Sequence, residues 1–77
     1  MHAPLLALGI LYESAGRLLE AEHLYEKAEM LLQQSGEPLL LADCMEKMSK
    51  LFKMSERHDR AKDYTVRAEH LRLRRAT

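Results

Sequence analysis

Residues 5–32 read LLALGILYESAGRLLEAEHLYEKAEMLL, and their apolar spacing describes two short helices folded back on one another at Gly16. The first is expected from about Ala3 to Ser14, with Pro4 in the opening turn, where its missing N–H costs nothing. Leu5, Leu8, Leu11 and Tyr12 form one stripe at helical spacing. Leu6 and Ile10 lie off it, so the helix is apolar around most of its circumference. A helix of a four-helix monomer has no use for a second apolar face. Something covers that face, or the stretch belongs to a longer array.

Gly16 permits a tight turn because it takes positive φ without steric penalty. A second helix over about Leu18–Gln34 follows, with Ala21, Leu24, Tyr25, Ala28, Leu31 and Leu32 on one face and Glu20, Glu22, Glu26, Lys27 and Glu29 on the other. Ser35-Gly36-Glu37-Pro38 is a stop signal, glycine just past the helix end and proline shortly after. A third helix is expected over about Leu39–Met54, burying Ala42, Met45, Met48, Leu51 and Phe52. After a weaker turn near Ser55-Glu56 comes a fourth, about Arg57–Arg74, with Ala61, Tyr64, Thr65, Ala68 and Leu71 on its stripe. The end, LRLRRAT, is expected to fray.

Shifting the chain by forty residues aligns its halves. Leu11, Arg17, Ala21, Ala28, Glu29 and Leu31 meet identical residues at Leu51, Arg57, Ala61, Ala68, Glu69 and Leu71, while Tyr12 meets Phe52. The matches concentrate on the expected core stripes, as a duplicated helical hairpin requires. In the first copy Leu5, Leu8, Gly9, Tyr12, Gly16, Ala21, Tyr25 and Ala28 resemble the tetratricopeptide repeat family. The second copy is looser, with Ser49, Glu56 and Thr65 at the positions of Gly9, Gly16 and Tyr25. The forty-residue period and the Ser-Gly-Glu-Pro loop are similar to the longer repeats of kinesin light chains. The resemblance implies an all-α fold of two antiparallel hairpins, residues 1–36 and 37–77, stacked as a fragment of an α-solenoid. A second resemblance, of AKDYTVRAEHLR to the last helix of the microtubule-interacting-and-transport domain, demands three helices and is opposed by the extra helix after Pro38.

Seventy-seven residues, 47% hydrophobic and 31% charged, make one small helix-rich unit. A chain this short buries only about 60% of its unfolded surface, so its core is thin. No apolar run approaches the ~20 residues of a membrane span, and the start lacks the basic flank of a signal peptide. A lone cysteine, Cys44, forms no internal disulfide, so a cytoplasmic, reducing setting is expected. The net charge is zero, yet residues 1–46 carry two basic and eight acidic groups and residues 47–77 ten basic and four acidic ones. Such a chain can pair head to tail with a copy, or each half can neutralise the other within the fold.

No catalytic constellation is evident, so the chain is expected not to be an enzyme and to need no cofactor. Glu20 and His23 make one Glu-x-x-His step, where di-iron bundles use two with further inward carboxylates. Paired cysteines, a His-Glu-x-x-His motif and a phosphate-binding glycine loop are all missing. Cys44 reads as a core residue and not as a nucleophile. Arg57, Arg60, Lys62, Arg67, Arg72, Arg74 and Arg75 form a basic flank, but Asp59, Asp63 and Glu69 interrupt it, which suits nucleic acid poorly.

Binding is expected instead. The family resemblance implies a concave face made by helices one and three, with Leu6, Ile10 and Glu13 from the first copy and Asp43, Glu46, Lys50 and Lys53 from the second. Leu6, Ile10 and Lys50 stand where some relatives clamp a peptide carboxylate with lysine and asparagines, so that clamp is not expected here. The favoured partner is a protein segment with apolar anchors for Leu6 and Ile10 and acidic residues for Lys50 and Lys53. The alternative is self-association, or packing of a neighbouring repeat, through Leu6 and Ile10, because two repeats are fewer than the ~3 usually needed for stability.

Overall fold

The computed structural model describes the backbone of residues 2–76 and the side chains of residues 4–73. Four helices follow in chain order: α1 (His2–Ser14), α2 (Leu18–Ser35), α3 (Pro38–Met54) and α4 (His58–Ala76). The fold is all-α. α1 and α2 form one hairpin, α3 and α4 a second, and α2 lies against α3 to join them. The molecule is a slab whose thinnest dimension is 15 Å, room for two helix layers at the usual spacing of about 8–10 Å between axes, so most helices keep an open side. α3 stands between α2 and α4, which rules out the three-helix arrangement.

The turns inside the two hairpins are the same object. After α1, Gly16 N–H donates to Glu13 O at 3.0 Å and Arg17 N–H to Tyr12 O at 2.8 Å. Forty residues later Glu56 N–H donates to Lys53 O at 3.1 Å and Arg57 N–H to Phe52 O at 2.7 Å. Each is a Schellman motif, in which a left-handed residue returns two N–H groups to the last turn of the helix. Gly16 takes φ 79° there at no steric cost, whereas Glu56 takes φ 60° with a side chain in place. The α2–α3 junction stops on Gly36, also left-handed, and Pro38 opens the next helix at a position where no N–H is needed.

Ala21, Tyr25, Ala28 and Leu32 of α2, Ala42, Met45, Met48, Leu51 and Phe52 of α3, and Ala61 and Ala68 of α4 are buried together, with Tyr64 and Leu71 packed against them. The small alanines bring the helices close. At the α1–α2 crossing a Cβ added to Gly9 would lie 2.5 Å from the Tyr25 ring, so only glycine fits under that tyrosine. The second hairpin solves the same crossing with two middle-sized residues. Ser49 Oγ sits 2.8 Å from Ala61 O and 2.6 Å from Thr65 Oγ1, so polar contact replaces the ring-over-glycine fit.

Helix one departs from its expected stripe. Leu5 and Tyr12 pack on the core as expected, and so does Leu6, but Leu8 is 44% and Leu11 65% exposed. Their counterparts Met48 and Leu51 are fully buried. The reason is position in the stack: α3 has a helix on each side, α2 and α4, and α1 packs on α2 alone. The frayed end is also corrected up to the limit of the described side chains. α4 stays helical to Ala76, Leu71 packs on the core, and Arg72 is tied to α3 by Asp43 and Glu46. Arg74 and Arg75 have side chains outside the described residues.

Candidate functional site

α1 and α3 run on the same side of the slab, with α2 behind them, and a hollow of about 430 Å³ lies between. Ile10, Glu13 and Ser14 form its α1 wall. Asp43, Glu46, Lys47 and Lys50 form its α3 wall, and Tyr25 of α2 closes the floor. A second hollow of about 280 Å³ continues along α3, lined by Glu46, Ser49, Lys50, Lys53 and Thr65. Of the seven residues expected from the sequence, Ile10, Glu13, Asp43, Glu46 and Lys50 line the first hollow, and Lys53 lines the second beside Glu46 and Lys50. Leu6 lines neither, because it turns into the core cluster. Apolar contact in the groove therefore falls to Ile10, which is 45% exposed.

The groove's acids are already engaged. Tyr25 Oη–H donates to Glu13 Oε1 at 2.8 Å, and Lys50 Nζ stands 3.9 Å from the same carboxylate. Burial, and then the hydrogen bond to Glu13, pushes the Tyr25 phenol well above its ordinary pKa, so it stays a neutral donor. Arg72 reaches across from α4 and binds Glu46 through both guanidinium nitrogens, one contact being 2.7 Å, and Asp43 at 3.1 Å. Its hydrogen bonds hold the Glu46 carboxyl below the usual glutamate value. Lys47 and Lys53 have no ion pair among the described residues. Lys47, Lys50, Lys53 and Arg72 outnumber the carboxylates of Glu13, Asp43 and Glu46 by four charges to three, which leaves the open groove with a slightly cationic α3 rim opposite an apolar α1 rim.

Spacing missed two contributors. Tyr25 reads as a core residue and is fully buried, yet it closes the groove floor, its hydroxyl bonded to Glu13 of the α1 wall; a buried tyrosine hydroxyl takes a hydrogen-bond partner. Lys47 sits next to core residue Met48, and one helical step sets it on the groove wall. Cys44, buried behind that wall, has its thiol pushed up to about 12, first by burial and then by the charge of Glu29. It is therefore a protonated thiol with no nucleophilic character at neutral pH. Among the described residues no three of histidine, cysteine, aspartate and glutamate converge to hold a metal ion, and no helix is long and apolar enough to cross a membrane.

The opposite charges of the two halves meet inside the fold. Lys50 approaches Glu13, Arg57 pairs with Glu22, Tyr64 Oη–H reaches Glu29 at 3.5 Å, and Arg72 takes Asp43 and Glu46. Three basic residues of the second half are thus paired with four acids of the first in the same molecule.

The arrangement defines a class: stacked helical hairpins with a groove on one face. Set against family models, curated proteins and solved structures, the chain has no significant match.

Proposed function

We propose that this chain is a non-catalytic protein-interaction module, a scaffold of tetratricopeptide type that holds a peptide or helix of a partner protein along α1 and α3. The carrying observation is the uncovered groove, with exposed Ile10 on one rim and Lys47, Lys50 and Lys53 on the other. A partner segment with an apolar anchor for Ile10 and acidic residues one or two turns away matches both rims. Arg72, paired with both Asp43 and Glu46, offsets one of their two charges and so reduces the repulsion such acids would meet. Glu46, displaced downward in pKa and tied to Arg72, is a charged wall and not a general acid. The forty-residue echo of the turns supports the repeat assignment, and a single buried thiol fits an intracellular, reducing setting.

Selection from a displayed library of random peptides tests the reading. Enriched peptides should combine an apolar residue with nearby acids. Lys50→Glu combined with Lys53→Glu should weaken their binding at least about tenfold, through lost attraction and added repulsion, with only a small fall in melting temperature, because both lysines are exposed and Lys50 alone stands near an acid, Glu13 at 3.9 Å. An empty selection, or peptides indifferent to the double charge reversal, removes the groove as the site.

A further inference from the structure

α1 and α3 hold equivalent places in the two repeats, and the neighbour that α3 has and α1 lacks is a helix on its outer side. On α3 that neighbour is α2. Cys44 Sγ–H points at Tyr25 O across the seam at 3.4 Å. Arg57, just past α3, stacks on Phe52 at 4.6 Å and pairs with Glu22 of α2. Forty residues earlier, Leu8 and Leu11 replace the buried Met48 and Leu51 and lie open. Arg17 repeats Arg57 and stacks on Tyr12, the counterpart of Phe52, at 5.6 Å, but its ion pair is with exposed Glu20 in the first turn of α2, at 3.1 Å.

We propose that the Leu8–Leu11 face of α1 docks an amphipathic helix of a partner protein with the chemistry of α2: an apolar stripe at helical spacing, flanked by an acid that reaches Arg17 as Glu22 reaches Arg57. The face lies apart from the α1–α3 groove and does not depend on it. Arg17 can hold a second carboxylate while keeping Glu20, as Arg72 holds Asp43 and Glu46 together. Charge argues against a second copy as the occupant. In a head-to-tail stack α4 would take the place of α2, and it carries Lys62 where α2 carries Glu22, opposite Arg17. In an α1–α1 pair the only acid of that helix is Glu13, which faces Tyr25 and Lys50 on the groove side.

The probe is a fluorescent peptide of the α2 sequence, LLEAEHLYEKAEMLLQQS, carrying His23→Glu and a lactam to Lys27 on its solvent side to hold it helical. Titration with the intact chain should give saturable one-to-one binding. Leu11→Asp should weaken it at least about tenfold, and Arg17→Glu about fivefold, the scale of a half-exposed ion pair reversed in sign. The same peptide with Glu22→Lys should bind the Arg17→Glu variant within about twofold of the original pair. Melting curves establish that both variants fold, and the charge exchange decides the matter even if Leu11→Asp does not. Absence of saturation overturns the proposal. So does binding blind to Arg17, which would mean that the peptide has replaced the chain's own α2 beside Arg57. A dimer of the chain in sedimentation equilibrium that Leu11→Asp dissociates would make a second copy the occupant and overturn it too.

Discussion

α1 and α3 are built to one template and live in different company. Each is the first helix of a hairpin, each ends in the same two-hydrogen-bond turn, and each sends an arginine from just past its end over an aromatic ring. Yet Leu51 is fully buried and Leu11 is 65% exposed. What differs is the neighbour. The same amphipathic helix is a core element when a helix lies on each side of it and an open surface when one is missing, so burial in this architecture belongs to the stack more than to the helix.

The largest expected contrast tests that statement directly. Leu51→Ala should cost about 2–5 kcal/mol, the range for a large side chain removed from a close-packed core. Leu11→Ala at the equivalent position should cost about 0.5 kcal/mol or less, as surface changes do. Urea denaturation of the two variants measures both, and similar losses would show that α1 is covered in solution.

The helix crossings give a smaller contrast. Gly9→Ala drives a methyl into the fully buried Tyr25 ring and should cost about 1–3 kcal/mol by overpacking. Ser49→Ala, at the matching position, removes the contacts to Ala61 O and Thr65 and should cost about 1 kcal/mol. If Gly9→Ala proves harmless, Tyr25 has somewhere else to go and the two crossings are less alike than they look.

At the turns the expected signs are opposite. Gly16→Ala should destabilise by about 1 kcal/mol from backbone strain alone, because nothing lies within 4 Å of the added methyl. Glu56→Gly should stabilise, by about 0.5 kcal/mol once the greater freedom of glycine in the unfolded chain is set against relief of the left-handed strain. Two losses would mean that the Glu56 side chain contributes something its backbone conceals.

The smallest effect is on acidification. Glu46 has its pKa lowered in the fold by Arg72, so it contributes stability above the ordinary glutamate value that is lost as the pH falls through the lowered one. Glu29 is raised by burial, despite the opposing pull of Arg67 and Tyr64, and on acidification its protonation recovers some stability. The melting temperature should therefore fall only gently below the carboxylate range. Arg72→Met should flatten the Glu46 component. A variant with the parent's full acid dependence would show that the exposed pair contributes nothing.

The helices, the glycine turns and the duplication are legible in the sequence because each is local: a 3.6-residue spacing, a left-handed residue at a helix end, a stripe met again forty residues on. What stays hidden is set by neighbours distant in sequence. Leu8 and Leu11 sit on a proper stripe, and no spacing within α1 tells which side a neighbouring helix will cover. Leu6, off that stripe, turns inward. The charge imbalance leaves pairing with another molecule and neutralisation within the fold equally open until residues 26–37 positions apart are seen to pair, Glu22 with Arg57, Glu13 with Lys50 and Glu46 with Arg72. Most of the groove residues are foreshadowed by the family resemblance. The bond of the Tyr25 hydroxyl to Glu13 under the groove is not, because a tyrosine on an apolar stripe reports its ring and conceals its tip.

Cys44 closes the seam between the hairpins from the inside, its thiol donating across to Tyr25 O. A buried, protonated sulfur reacts with an alkylating reagent only when the surface around it parts. The chain thus carries a clock for one specific motion, the separation of its two repeats, and the rate at which that sulfur is trapped counts how often they come apart.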